Sequence, residues 1–187
     1  MELKENQRIV VTKRMLKEGL LRLMETKSLS KIPVSELCQE AGINRATFYN
    51  HYTEPADILR EMGDDVAVEI NNLLRERKRH HNVSIQERVE FACEYLQENK
   101  RVAKLLFQNN TPESEFAVKL IRGQDDWQLL SEKLDSIYGK EGAMLLSTFL
   151  IHGAYCMITK WLLEDMDMTP KDMGKLFNDI CTSRIPI

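Results

Sequence analysis

Residues 34–52 read Val34-Ser35-Glu36-Leu37-Cys38-Gln39-Glu40-Ala41-Gly42-Ile43-Asn44-Arg45-Ala46-Thr47-Phe48-Tyr49-Asn50-His51-Tyr52. Val34, Leu37, Cys38 and Ala41 fall at helical spacing after Pro33, a residue suited to the first turn of a helix. Gly42 can take the left-handed conformation that ends a helix. Asn44 is a good N-cap for a second helix running to about Tyr52. Leu37, Cys38, Ile43 and Phe48 are placed to pack between the two, which is the helix-turn-helix pattern. The second helix turns Asn44, Arg45, Thr47, Asn50 and His51 outward with the Tyr49 hydroxyl. Such a face fits a major groove, where Arg pairs with guanine O6 and N7 and Asn with adenine N6 and N7.

Working outward, Leu16, Leu20, Leu23 and Met24 put an apolar stripe on a helix over roughly residues 7–26. Downstream, Pro55 opens a long helix to about Arg79, with Ile58, Leu59, Met62, Val66 and Ile70 on its apolar side. Ser84-Ile85-Gln86-Glu87 is a capping box that starts a helix ending near Asn99. Shorter helices are expected at about 101–108, 113–123 and 125–138. The most apolar one runs from Lys140 to Glu164, and Thr169-Pro170-Lys171-Asp172 opens a last helix to about Ser183. No stretch alternates as a strand would. The expected fold is all-α: a three-helix helix-turn-helix domain at 1–54, then a helical ligand-binding and dimerisation domain at 55–187.

The 187 residues carry a net charge of −3, which by itself points away from a polyanion. Counted by segment, residues 1–52 carry +3 and residues 53–187 carry −6. That asymmetry is what one small module meeting a polyanion requires. Cys38, Cys93, Cys156 and Cys181 lie far apart in helical stretches, with no zinc spacing. The charged start MELKENQR has no apolar run of a secretory signal, so a reduced, cytoplasmic chain is expected. His80-His81 ends a helix, but adjacent side chains diverge around it, so neither a metal nor any other cofactor is expected. Residues 143–159 contain no Asp, Glu, Lys or Arg. This is the short limit for a membrane span. Burial on two faces, one inside the subunit and one against a partner, explains the segment better than a membrane. No phosphate-cradling loop, H-E-x-x-H or nucleophile elbow occurs, and no enzyme is expected.

The combination Ala41-Gly42-Ile43-x-Arg45-x-Thr47-Phe48-Tyr49-x-His51-Tyr52, following a helix with Thr12-Lys13-Arg14, resembles the TetR family of transcriptional regulators across residues 8–60. The resemblance implies a homodimer paired through its last two helices. It places Ser35, Asn44, Arg45 and Ala46 where the family contacts bases, and Thr47, Tyr49 and His51 where it contacts phosphates. Lys13 and Arg14 add charge near the DNA backbone, and Phe48 is the packing residue of the recognition helix. Pro33 and Pro55 depart from the pattern, standing where many members carry Ser/Thr and a phosphate-binding Lys. They put affinity in question, not the fold.

Phe91, Tyr95, Phe107, Trp127, Phe149, His152 and Tyr155 are candidates to line an apolar effector pocket. The same side chains are also what a helical core needs. Ile151, Ile158 and Leu162, with Leu176 and Ile180 on the last helix, are candidates for the dimer interface. The expected protein is a homodimeric, ligand-responsive repressor on a near-palindromic DNA operator. The alternative is a ligand-sensing or protein-binding co-regulator that keeps this fold without binding DNA alone.

Overall fold

The apolar stripe read on the first helix is buried. On α1 (Glu2–Met24), Leu16, Leu20 and Met24 turn inward with Leu21, while Leu23 of the expected stripe is half-buried, and α2 (Val34–Ala41) lies against α1 with Leu37, Cys38 and Ala41 buried. The two helices approach closely at Gly19, where an added Cβ would stand 3.1 Å from the Ala41 Cβ. Pro33 is the N-cap of α2 and not part of its first turn, with an extended φ of −76° and ψ of 151°. Gly42 ends α2 in the left-handed region, at φ 67° and ψ 28°. The second helix of this motif, α3 (Arg45–Tyr49), is shorter than expected. Beyond it the backbone closes with turn bonds from Asn50 N–H to Ala46 O and from Tyr52 N–H to Phe48 O.

In this computed structural model residues 2–79, 83–122 and 126–182 are described. The chain divides into two compact units, Met1–Gly63 and Asp64–Ile187. The division lies inside α4 (Pro55–Lys78), nine residues beyond the boundary expected at 54. The first turns of α4 are bonded to α1 through Glu61, which is why they group with the first unit.

The second unit holds the rest of α4, then α5 (Ile85–Glu98), α6 (Lys100–Asn109), α7 (Glu115–Arg122), α8 (Asp126–Leu163) and α9 (Pro170–Cys181). Every regular element among the described residues is helical, so the fold is all-α. Both capping boxes form: Ser84 with Glu87 at α5, and Thr169 with Asp172 at α9. The two helices expected on either side of residue 139 are both present: α8 is broken by a kink at Gly139, whose φ of 70° and ψ of 168° are non-helical. Residues 80–82 and 123–125 lie outside the described set, and with them His80-His81 and the break expected at Gly123.

Helix α9 lies along α5, and α6 and α7 pack on α8. Gly174 makes the first contact possible, because a Cβ there would meet the Gln86 carbonyl oxygen at 2.5 Å. In the loop from α8 to α9, Asp165 sits at a left-handed φ of 49°. Lys100 and Lys104 of α6 hold its carboxylate at 2.6 and 2.8 Å. These ammonium groups pull its pKa down to about 2. The Trp161 indole N–H donates to Met168 O across the same loop.

Candidate nucleic-acid interface

A five-residue helix cannot hold itself together in water, so the position of α3 is decided by Phe48, which is fully buried. Its ring stands edge-on to Tyr49 at 5.3 Å and tilted to Tyr52 at 6.0 Å. With that side chain as anchor, the opposite face is left in solvent. Ser35, Asn44, Arg45, Ala46 and Asn50 are exposed, as is Tyr49 at 59%. Thr47 and His51 are half-buried at its margin. All the expected base-contact positions therefore lie on open surface of one unit. Asn44 also works within the chain: its Oδ1 accepts the Thr47 N–H at 2.7 Å and caps α3. That leaves the amide nitrogen as its outward group.

Arg14 is exposed as a phosphate contact requires, but Lys13 has an internal partner. Its ammonium lies 2.6 Å from Glu61 Oε2 and 5.4 Å over the Tyr52 ring, while Lys17 holds Glu61 Oε1 at 2.7 Å. The Tyr52 hydroxyl donates to the same carboxylate. Lys13 thus ties α1 to the first turns of α4. Burial pushes the Glu61 pKa up, but the hydrogen bonds and charges of Lys13 and Lys17 outweigh it, and the net direction is down. A depressed carboxylate adds stability above its unfolded pKa and loses it as pH falls through the folded one. Glu61→Gln is therefore expected to lower stability at neutral pH and to flatten the decline below about pH 4.3. Urea titrations at stepped pH check this.

The loop between α3 and α4 is gathered on Asp57. Its carboxylate accepts the Thr53 hydroxyl at 2.6 Å, the Thr53 and Glu54 N–H groups, and the Arg60 guanidinium. Led by the Thr53 hydroxyl, these donors hold the Asp57 pKa well below the usual carboxylate range.

In the second unit a cavity of about 280 Å³ opens between α5, α7, α8 and α9. Arg88, Ala92, Leu120, Phe149, Gly153 and Ile180 are among its walls. Of the expected pocket residues whose side chains are described, Phe149 is the one that lines it. Phe107 and Tyr155 are core side chains instead, their rings 5.0 Å apart, with Phe116 edge-on to Phe107. Burial raises the Tyr155 phenol to about 12. Phe91 carries the Arg77 guanidinium over its ring at 4.1 Å, and Tyr95 is half-buried on α5. His152 faces Glu113 at 3.5 Å. The Trp127 side chain lies outside the described residues.

The expected interface residues are also redistributed. Ile151, Ile158 and Leu162 are 3%, 7% and 3% exposed, so they belong to the chain's own core. Among the described residues, the large apolar side chains that α8 leaves in solvent are Ile137, Tyr138, Met144, Leu145 and Phe149, the last three at 63%, 68% and 67%. Leu176 and Ile180 are half-buried, and Ile180 faces the cavity. By length and composition alone the stretch Ser131–Leu163 could cross a membrane, and only 22% of its most apolar window is buried within the chain.

A family model described as the C-terminal region of transcriptional regulators matches residues 84–183, more than half of the chain. The match falls in the helical body, away from the stretch that carried the sequence resemblance. Among solved structures, the dihydroxyacetone kinase operon activator DhaS superposes with a TM-score of 0.57 at 16% identity. The superposition covers 94% of this chain and 97% of that one, and it shows a shared fold. No curated protein matches the sequence.

Proposed function

Because the chain belongs to the TetR family of transcriptional regulators, we propose that it binds a near-palindromic DNA operator as a homodimer and represses until a small molecule releases it. The observation that carries this reading is the exposed row Asn44, Arg45, Ala46 and Tyr49 on a helix anchored by buried Phe48. Two such helices, one from each subunit, meet major grooves about 34–36 Å apart. The solvent-facing Met144, Leu145 and Phe149 favour a second copy as their cover, since apolar patches of this kind mark association surfaces. An effector acts only through its different affinity for two subunit arrangements, one of which carries the wrong helix spacing.

Arg45→Ala is expected to cost about 1–3 kcal/mol on the best site and to relax base preference at the position it reads. Tyr49→Phe removes a hydroxyl from a phosphate contact and is expected to weaken all sequences alike by about 1.5–3 kcal/mol. Footprinting both variants on a randomised operator library separates the two. An Arg45→Ala preference identical to that of the unmodified chain ends the base-contact role. The engagement of Lys13 with Glu61 favours weak intrinsic DNA affinity, and so keeps a co-regulator as the second reading. A gel shift that appears only when a partner protein is added would select it.

A further inference from the structure

Glu61 lies in the second turn of α4, and groups from elsewhere in the first unit converge on its carboxylate. They are the Lys13 ammonium at 2.6 Å, the Lys17 ammonium at 2.7 Å and the Tyr52 hydroxyl at 3.1 Å. Lys13 Nζ also stands 5.4 Å over the Tyr52 ring, and that ring is 6.4 Å from His51, just beyond the end of α3. Lys13 therefore carries its charge beside the margin of the face proposed above to meet DNA, with its side chain 33% exposed. Burial raises the Glu61 pKa, and the two ammonium groups lower it by more, so the carboxylate is charged at neutral pH.

A DNA phosphate offers Lys13 the same partner as Glu61, an anionic oxygen that accepts a charge-assisted hydrogen bond. The two compete for one ammonium group. The carboxylate has the advantage of being tethered in the same unit, so its contact costs no association. Each phosphate that a lysine neutralises releases about 0.9 counterion, and a lysine kept on an internal carboxylate drops out of that sum.

We infer that Glu61 is an internal competitor of the DNA backbone for Lys13, a positioning residue that withholds one phosphate contact from the reading face. The inference rests on the DNA-binding reading above and names a control on the same face. The ion pair of Arg22 with Glu40, nine residues further along α1, supplies the comparison. It joins α1 to α2, about 13 Å along the helix from Lys13 at 1.5 Å per residue.

The test is fluorescence anisotropy of the full chain on a labelled duplex of random sequence, with salt stepped from about 50 to 200 mM, since non-specific binding reads phosphate contacts. Glu61→Gln is expected to tighten binding by up to about tenfold at low salt and to steepen the slope of log affinity against log salt by about 0.9. That gain runs against the loss of stability expected of the same variant, so partial unfolding does not produce it. Glu61→Asp keeps the charge and draws it back by one methylene, and a smaller gain of the same sign is expected. In a Lys13→Gln background, Glu61→Gln is expected to bring no steepening. Glu40→Gln removes the same charge from the Arg22 pair and is expected to leave the slope as it was. The inference is overturned by an unchanged slope in Glu61→Gln and Glu61→Asp. It is equally overturned by a steepening that persists without Lys13, or by an equal one in Glu40→Gln, either of which assigns the effect to net charge. If neither the unmodified chain nor any variant binds the duplex, the DNA-binding reading falls and takes this inference with it.

Discussion

Phe48→Ala is expected to destabilise the first unit by about 3–5 kcal/mol, the usual range for removing a buried aromatic ring. The side chain is fully buried, and α3 has five residues, too few to persist without tertiary anchoring. Its ring also supports Tyr49 and Tyr52, so the exposed face and the start of the α3–α4 loop lose their common prop. With domain stabilities of about 5–15 kcal/mol, a loss of this size unfolds a substantial fraction of the unit at growth temperature. Urea denaturation followed by amide exchange at residues 45–52 measures it. Phe48→Leu keeps most of the volume and is expected to cost clearly less. An unchanged midpoint for Phe48→Ala would mean that α3 is held by something other than this ring.

The second large effect turns on a sign. Replacing glycine by alanine inside a helix ordinarily stabilises it by about 1 kcal/mol. Gly174→Ala is expected to do the reverse. The new methyl would stand 2.5 Å from the Gln86 carbonyl and 3.1 Å from the Glu90 Cβ, so α5 and α9 must separate. The atom in the way is backbone, which cannot rotate aside, and overpacking of this kind costs about 1–3 kcal/mol. Gly153→Ala is the control: nothing lies within 4 Å of its added Cβ, and the ordinary gain is expected. Thermal melts of the two variants at one protein concentration are expected to move in opposite directions. A rise in both would show that α5 and α9 separate at little cost.

Sequence reading went furthest where the signal was local. Gly42 at a positive φ, Asn44 accepting the Thr47 N–H and Pro55 starting α4 each follow from the chemistry of one residue and its near neighbours. The two capping boxes follow for the same reason. What stayed hidden depends on partners far along the chain. Lys13 reads as free surface charge until folding brings Glu61 beside it, 48 positions away. Gly174 reads as a weak helix residue until α5 arrives against it. On α8 the failure has another cause. Residues 143–159 are apolar all round, so no periodicity separates the side facing the core from the side facing out, and Ile151 and Leu145 were indistinguishable in the pattern. Arg88 reads as solvated because an arginine in an amphipathic helix usually is. Only the fold brings apolar walls around it.

The loop knotted on Asp57 also bears on how this part of the chain responds to pH. One ionised carboxylate collects the Thr53 and Glu54 amides, a hydroxyl and a guanidinium, and so sets the step from α3 into α4. Its stabilisation is complete above the unfolded carboxylate pKa of about 3.9 and fades only as pH falls through the lower folded value. That range lies far below neutral pH. The step from α3 into α4 is therefore insensitive to acidity near neutral pH, and titration of this loop does not reposition α3 there.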